Sequence, residues 1–455
     1  MAFGKEFVWG VAASAYQIEG RAENDGKGEE IWDIFGKQPG KIKEGHTAEV
    51  ACDHIHRYKE DIALMKQLGI RAYRFSMDWS RILPNGIGKV NEQGIAFYND
   101  LIDCMLENEV EPYITLYHWE LPYALYQKGG WLNPECIDWF GEYAKVVATY
   151  FSDRVTKFFT LNEPQCFVGL GCLTGEHAPG IKLPLRDTFE MAHNVLRANG
   201  NATRMLREYA KQPIEVGYAP TCGVAYPASS KPEDIEAARQ CYFSCPDFER
   251  WTWNVSWWSD PVILGEYPED GLRKYHAYLP KITKEDMKLI QQPLDFLGQN
   301  IYNGYQVKAG ENSPWEFVNR KVGLSKTATN WPVTPECIYW GMKFQNDRYH
   351  IPMYVTENGI SCHDTVSLDG EVHDPNRIDF LHRYLLQVDR AIQEGIDIRG
   401  YFEWTLLDNF EWNCGYTERF GMVYVDFETQ QRIIKDSGYW YKDVINSNGA
   451  NLIIK

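Results

Sequence analysis

Glu163 lies in the string T-L-N-E-P (residues 160–164) and Glu357 in V-T-E-N-G (residues 355–359). Each closes a short hydrophobic run and each has an asparagine beside it. Two carboxyl groups in matched settings suit cleavage of a glycosidic bond, which offers no easy electrophile. One carboxyl protonates the departing oxygen while the other stabilises or attacks the anomeric carbon. Two residues so far apart in the chain can work as a pair only if the fold brings the two segments to one place.

Other polar and aromatic residues fall at comparable points: Gln17 and Glu19, Arg74 and Asp78, the run Tyr117-His118-Trp119-Glu120, Asn300 and Tyr302, and Trp404, Glu411 and Trp412. A sugar site needs this mixture, with hydrogen-bonding groups for several hydroxyls and flat aromatic faces for the ring. Each residue also has a structural reading. Asn162 and Asn358 suit strand exits, Gln17 and His118 suit satisfied core positions, and Arg74 suits an ordinary ion pair. Their joint occurrence at successive segment ends favours the site.

The elements that must position these residues alternate along the chain. Short β-rich runs occupy 7–12, 71–77, 111–118, 157–162, 215–219, 294–302, 353–357 and 399–404, with helical patterns at 57–68, 94–107, 137–151, 189–209 and 377–393 between them. Eight strand–helix units without a linker or a break in composition predict an α/β fold. The expected architecture is a single (β/α)₈ TIM barrel with long βα loops, one catalytic domain over residues 1–455. An open doubly wound sheet would also alternate strands and helices, but it predicts a glycine-rich phosphate loop. The first strand here runs into A-S-A-Y-Q-I-E-G, and neither G-x-G-x-x-G nor G-x-x-x-x-G-K-[ST] occurs. In a barrel the carboxyl ends of the strands share one mouth.

Composition narrows the partners. A net charge of −17 argues against nucleic acid and against an anionic membrane surface. The 16 tryptophans fit an aromatic core together with sugar-stacking platforms. Eleven cysteines, an odd number with no C-x-x-C pair, fit free thiols better than a disulfide framework or a zinc site. The D-H-I-H segment (Asp53, His54, His56) lacks a spaced partner set, so no metal and no cofactor is expected. The sequence shows no charged leader followed by an apolar stretch and no apolar run of about 18 residues, so a cytoplasmic protein is expected.

These motifs carry a resemblance. F-V-W-G-V-A-A-S-A-Y-Q-I-E-G (7–20), R-F-S-M-D-W-S-R-I (74–82), Y-H-W-E-L-P (117–122), T-L-N-E-P, N-I-Y (300–302), W-P-V-T-P-E (331–336), V-T-E-N-G, H-D-P-N-R-I (373–378), L-L-D-N-F-E-W (406–412) and R-F-G-M-V-Y-V-D (419–426) together resemble glycoside hydrolase family 1 of the β-glucosidase type, over essentially the whole chain. The resemblance implies a retaining β-glycosidase acting on terminal non-reducing β-D-glucosyl residues through a covalent glycosyl-enzyme. Cellobiose and small β-glucosides are the expected substrates, with β-galactosides and β-fucosides as further ones. It implies Glu163 as general acid/base, Glu357 as nucleophile, Asn162 at the sugar 2-hydroxyl, and Arg74 and Tyr302 holding Glu357 ionised. Gln17, His118, Trp119, Asn300, Glu411 and Trp412 would surround the sugar, Trp404 would form its stacking floor, and Trp331 and Phe420 would line the cleft, Trp331 on the leaving-group side. An acidic residue at Glu411 argues against the alternative of a 6-phospho-β-glucosidase, and retention of both carboxyls argues against a sugar-binding barrel without turnover. Ile301, Gln165 and Thr405 depart from the commonest family pattern; Gln165 is expected towards the leaving group, where it bears on aglycone preference.

Overall fold

The computed structural model describes residues 3–452. Eight strands follow in chain order: β1 (Val8–Ala13), β2 (Ala72–Ser76), β3 (Glu111–Tyr117), β4 (Lys157–Asn162), β5 (Glu215–Ala219), β6 (Leu297–Asn300), β7 (Met353–Asn358) and β8 (Ile398–Trp404). They hydrogen-bond in parallel in the order β5-β4-β3-β2-β1-β8-β7-β6. The seam between β5 and β6 has no continuous ladder. Asp295 N donates to Val216 O at 2.9 Å at one end, and Asn300 N to Pro220 O at 3.2 Å at the other. Between them Phe296 lies over Gly217, where a Cβ would meet the ring at 2.2 Å, so only glycine admits the wedge. The result is a nearly closed (β/α)₈ barrel with helices between its strands.

Side chains alternate between two cores, as the pleat dictates. Ala12, Ala72, Tyr113, Phe159, Phe296, Tyr354 and Phe402 fill the barrel interior, while Val11, Phe75, Ile114, Leu161, Val216 and Val355 join the larger core facing the helices. Small residues beside large rings suit the close packing of such an interior. Strict alternation fails where the chemistry-bearing residues stand. β4 breaks register between Phe159 and Asn162, and β7 between Val355 and Glu357. Counting by two from the inward-facing Tyr354 would send Glu357 towards the helices. The irregularity re-aims it to the mouth, a common use of an extra strand residue beside a site.

The predicted helices are present but begin earlier, at His54–Gln67, Glu92–Glu107, Cys136–Phe151, Leu185–Tyr209 and Pro375–Gln393. Their first turns carry polar or proline residues outside the apolar pattern; Asn91, for example, caps its helix by accepting from Gln93 N. The third predicted strand stops one residue short, at Tyr117. His118 N–H is taken by Glu120 Oε1 at 3.2 Å, and Trp119 has φ +88°. The loops at the carboxyl ends are long. Those after β5 and β6 join in a three-stranded sheet of Val224–Pro227, Gly304–Lys308 and Glu316–Phe317 over the seam. Those after β7 and β8 rest on buried ion pairs: Arg377 with Asp364 and Asp374, and Lys435 with Asp364 and Asp408. The motifs H-D-P-N-R-I and L-L-D-N-F-E-W therefore supply scaffolding as well as site residues. No helix among the described residues is long and apolar enough to cross a membrane.

Candidate active site

Arg74 projects from β2 across the barrel mouth. Its Nη1 donates to Glu357 Oε1 at 2.7 Å and its Nη2 to Asn162 Oδ1 at 2.5 Å, so one guanidinium ties β7 to β4. Thr115 Oγ1 accepts from Arg74 Nε at 3.2 Å and fixes its plane. Tyr302 OH donates to the other carboxylate oxygen, Glu357 Oε2, at 2.7 Å. Burial is the largest influence on Glu357 and raises its carboxyl above the ordinary value, while Arg74 and Tyr302 pull it back towards the charged form.

Glu163, buried beside this group, has a different surrounding. Asn300 Nδ2 donates to its Oε1 at 2.8 Å and the Cys166 thiol to its Oε2 at 3.0 Å; both partners are uncharged. Burial first, and then the charge of Glu357, push its carboxyl up to about 7. Burial thus favours the protonated form in both neighbouring acids, and the charge of one opposes ionisation of the other. The contacts favour the proton on Glu163, because Glu357 has the Arg74 cation in direct contact and Glu163 has uncharged partners. Asn300 also donates to Asn162 Oδ1 at 3.0 Å and accepts from Thr356 Oγ1 at 2.7 Å, so the amides beside the two acids form one connected network.

Asn162 Nδ2 lies 3.0 Å from His118 Nε2. Burial, aided by Arg74, holds His118 well below the usual imidazole range, so the ring is neutral and accepts the amide at Nε2. Its proton therefore sits on Nδ1, a buried donor without a hydrogen-bond partner among the described residues. His118 stacks near Trp404 and Trp412 at ring separations of 5.7 and 6.0 Å. Trp119 packs on Trp412 at 4.5 Å, with its indole N–H satisfied by Asn162 O at 3.0 Å. Gln17 stands on the short helix Ala15–Ile18 after β1, and its Nε2 reaches Asn409 Oδ1, Phe410 O and Glu411 Oε2 at 3.0, 3.0 and 3.1 Å. On the outer side Trp331, 37% exposed, meets Tyr302 at 5.3 Å and Phe420 at 6.1 Å.

Two sequence expectations change. Burial pushes Glu411 up to about 8 despite the hydrogen bond from Gln17, with Glu357, Glu418 and Glu163 adding to the rise. Near neutrality this favours the neutral acid at Glu411, which does not carry the standing charge expected to repel a phosphate. Gln165 is fully buried and bridges loops: it reaches Asn254 O and Thr221 N, both at 3.4 Å. It supports the segments behind the site and presents no side chain to a leaving group.

The backbone carries strain here. Trp119, Glu163 and Trp412 all have positive φ, at 88°, 46° and 48°. Such residues cost about 1–3 kcal/mol each and persist where surrounding structure fixes them. Gly359, two residues after Glu357, approaches Trp404 O so closely that a Cβ would lie 1.9 Å away. Sequence reading missed Cys166, Thr356, Thr115 and Asn409. Cys166 alone had a usable signal, since a residue three beyond Glu163 on a helical turn shares its face.

Compared with known proteins, the sequence model of Glycosyl hydrolase family 1 matches residues 1–450. Beta-glucosidase A of Thermotoga maritima is 47% identical over 450 residues, covering 98% of each chain. A 1,4-beta-D-glucan glucohydrolase of Thermotoga neapolitana is 48% identical, covering 98% of this chain and 99% of that one. The solved beta-glucosidase from Thermotoga maritima in complex with glucoimidazole superposes with a TM-score of 0.89 at 47% identity, over 98% of this chain and 99% of that one.

Proposed function

This chain belongs to glycosyl hydrolase family 1 and is a glycoside hydrolase, and from that premise we propose that it is a retaining β-glucosidase in which Glu357 is the nucleophile and Glu163 the general acid/base. The observation that carries the assignment is the unequal setting of the two acids: a guanidinium and a phenol on Glu357, uncharged donors only on Glu163.

In the first half-reaction the ionised Glu357 attacks the anomeric carbon of a terminal β-D-glucosyl unit. The proton held by Glu163 passes to the glycosidic oxygen as that bond breaks. Covalent attachment cancels the charge of Glu357, which removes one of the causes that raise Glu163. Glu163 then takes a proton from water, whose oxygen attacks the anomeric carbon and frees Glu357. The configuration is restored after two inversions. Asn162, pinned by Arg74 and Asn300, offers its amide to the 2-hydroxyl. His118 Nδ1, Gln17 and Glu411 face the remaining hydroxyls, and Trp404 and Trp412 provide flat apolar faces. Trp331 and Phe420 form the walls where the leaving group sits.

The relatives are named a beta-glucosidase and a 1,4-beta-D-glucan glucohydrolase, and this reading extends to the present chain β-glucosides and β-1,4-linked glucans, with cellobiose and small β-glucosides as its expected substrates. A panel of nitrophenyl β-glycosides, with and without a 6-phosphate, tests it by kcat/KM. The β-glucoside without phosphate is expected to turn over well and its 6-phosphate derivative at least about 100-fold less. Preference for the phosphorylated substrate, or no turnover of any β-glucoside, rejects the reading.

A further inference from the structure

Cys166 sits in the turn Pro164–Val168 that opens directly after Glu163, with its thiol 3.0 Å from Glu163 Oε2 and only 6% of the residue exposed. The opposite oxygen, Oε1, is occupied by Asn300, whose own carbonyl is tied down by Thr356. We propose that Cys166 is a positioning residue for both half-reactions, its thiol accepting the O–H of Glu163 in the acid form and donating its S–H to the carboxylate in the base form. The inference rests on the assignment of Glu163 as acid/base given above.

The chemistry of the two partners explains the division. An amide N–H only donates, so Asn300 has the same hydrogen bond to offer in either state, and it favours the charged one. A thiol donates or accepts by rotating its S–H, so it serves both states of an acid that must alternate between them. A buried carboxyl left without such a partner would lose a hydrogen bond in one half of every cycle. Because S–H is a weak donor, it does not drag Glu163 down to the ordinary carboxylate range, which would strip the acid of its proton at neutral pH. Burial and the charge of Glu163 hold the Cys166 thiol well above its usual range, so no thiolate competes as base. No proton passes through sulfur. The proton of Glu163 goes to the leaving oxygen, and the next one comes from water.

The titratable groups that act on Glu163 and Cys166 come from several elements. Arg74 on β2, Glu357 on β7, Tyr302 after β6 and Glu411 after β8 act on Glu163, and Cys222 after β5 acts on Cys166. None of these is replaced in the test. Cys166→Ala and Cys166→Val remove the donor, and the valine retains a buried branched side chain. Both forms of Glu163 lose a partner, but the charged form loses the stronger hydrogen bond, so Glu163 keeps its proton to higher pH. The alkaline limb of kcat/KM for a nitrophenyl β-glucoside is then expected to move up by about 0.5–1 pH. For a dinitrophenyl β-glucoside, whose leaving group needs no protonation, kcat should fall about 3- to 10-fold, because the carboxylate, although more basic, loses the contact that orients it for the water in the second step. Cys166→Ser supplies a stronger donor that also rotates. It should move the limb down and restore kcat. An unmoved limb in all three variants, or movement in one direction for alanine, valine and serine alike, overturns the proposal. A second measurement needs no Cys166 variant: the infrared S–H stretch of the native enzyme should change as Glu163 titrates and stay constant with pH in Glu163→Gln. A band insensitive to pH in the native enzyme refutes the switch. Azide rescue of Glu163→Ala tests the underlying assignment independently, so failure of one is distinguishable from failure of the other.

Discussion

Replacing Tyr302 by phenylalanine removes one oxygen atom and leaves the ring that packs against Trp331 at 5.3 Å and Phe420 at 6.4 Å. What disappears is the 2.7 Å hydrogen bond to Glu357 Oε2. Tyr302 itself stays a phenol over the whole working range, because burial and the charge of Glu357 raise it well above its usual value. The bond favours only the ionised form of Glu357, so its loss raises that carboxyl further. Hydrogen bonds to charged acceptors are worth about 1.5–3 kcal/mol, and about 1.4 kcal/mol corresponds to one pH unit. The acid limb of kcat/KM should therefore move up by about 1–2 pH, and activity below it should drop by about 10- to 100-fold. Since Glu163 lies at about 7, the limb of Glu357 then approaches it and the bell narrows and loses height. The assay is a pH series of kcat/KM on a nitrophenyl β-glucoside, with thermal melting as the control for folding. An acid limb that stays in place while kcat/KM falls equally at every pH would refute the reasoning, as would a limb that moves down.

Glu163→Gln probes the same site through stability. The folded carboxyl at about 7 lies above its unfolded value of 4.5, so the acid binds its proton more tightly when folded. Its contribution is fully present below about pH 4.5 and is lost as pH rises through 7, up to about 3 kcal/mol. The glutamine variant, which never ionises, should melt higher than the native enzyme at pH 8 and alike at pH 4; equal melting at both values contradicts this. Trp331→Ala should raise KM for cellobiose by about 3- to 10-fold and leave hydrolysis of the glycosyl-enzyme untouched, a split that steady-state and single-turnover kinetics separate. Gly359→Ala should fold yet lose about 100-fold in kcat, because the backbone just after Glu357 must retreat from Trp404 O; near-native kcat would show that this contact does not set the geometry.

The strand ends were legible because β-rich runs ended in polar or aromatic residues at seven of eight places, and the barrel makes those ends neighbours. The pairing of Arg74 with Glu357 required only that β2 and β7 face one mouth. Other features depend on geometry that no residue type announces. Register breaks in β4 and β7 decide which way Asn162 and Glu357 point, yet T-L-N and V-T-E read as ordinary strand ends. Gln165 resembled a leaving-group contact from its place in the chain, but the turn after Glu163 buries it against the loops carrying Asn254 and Thr221. Glu411 read as a charge because it is a glutamate. Its desolvation depends on how the segment after β1 brings Gln17 against the run Asn409–Glu411 after β8, which is a property of two remote segments at once. The small sheet shared by the loops after β5 and β6 gave the weakest signal, since Val224–Pro227 pairs with Gly304–Lys308, which is remote from it in sequence.

The central claim is that Glu357 forms a covalent bond to the sugar while Glu163 moves protons. An activated 2-deoxy-2-fluoro-β-glucoside tests it most directly. The fluorine slows both steps by withdrawing electrons from the anomeric centre, and the good leaving group restores the first, so the glycosyl-enzyme accumulates. Peptide mapping by mass spectrometry should find one fluoroglucosyl group, on Glu357. A label on Glu163 or on any other residue, or full activity after prolonged exposure with no label at all, would contradict the account.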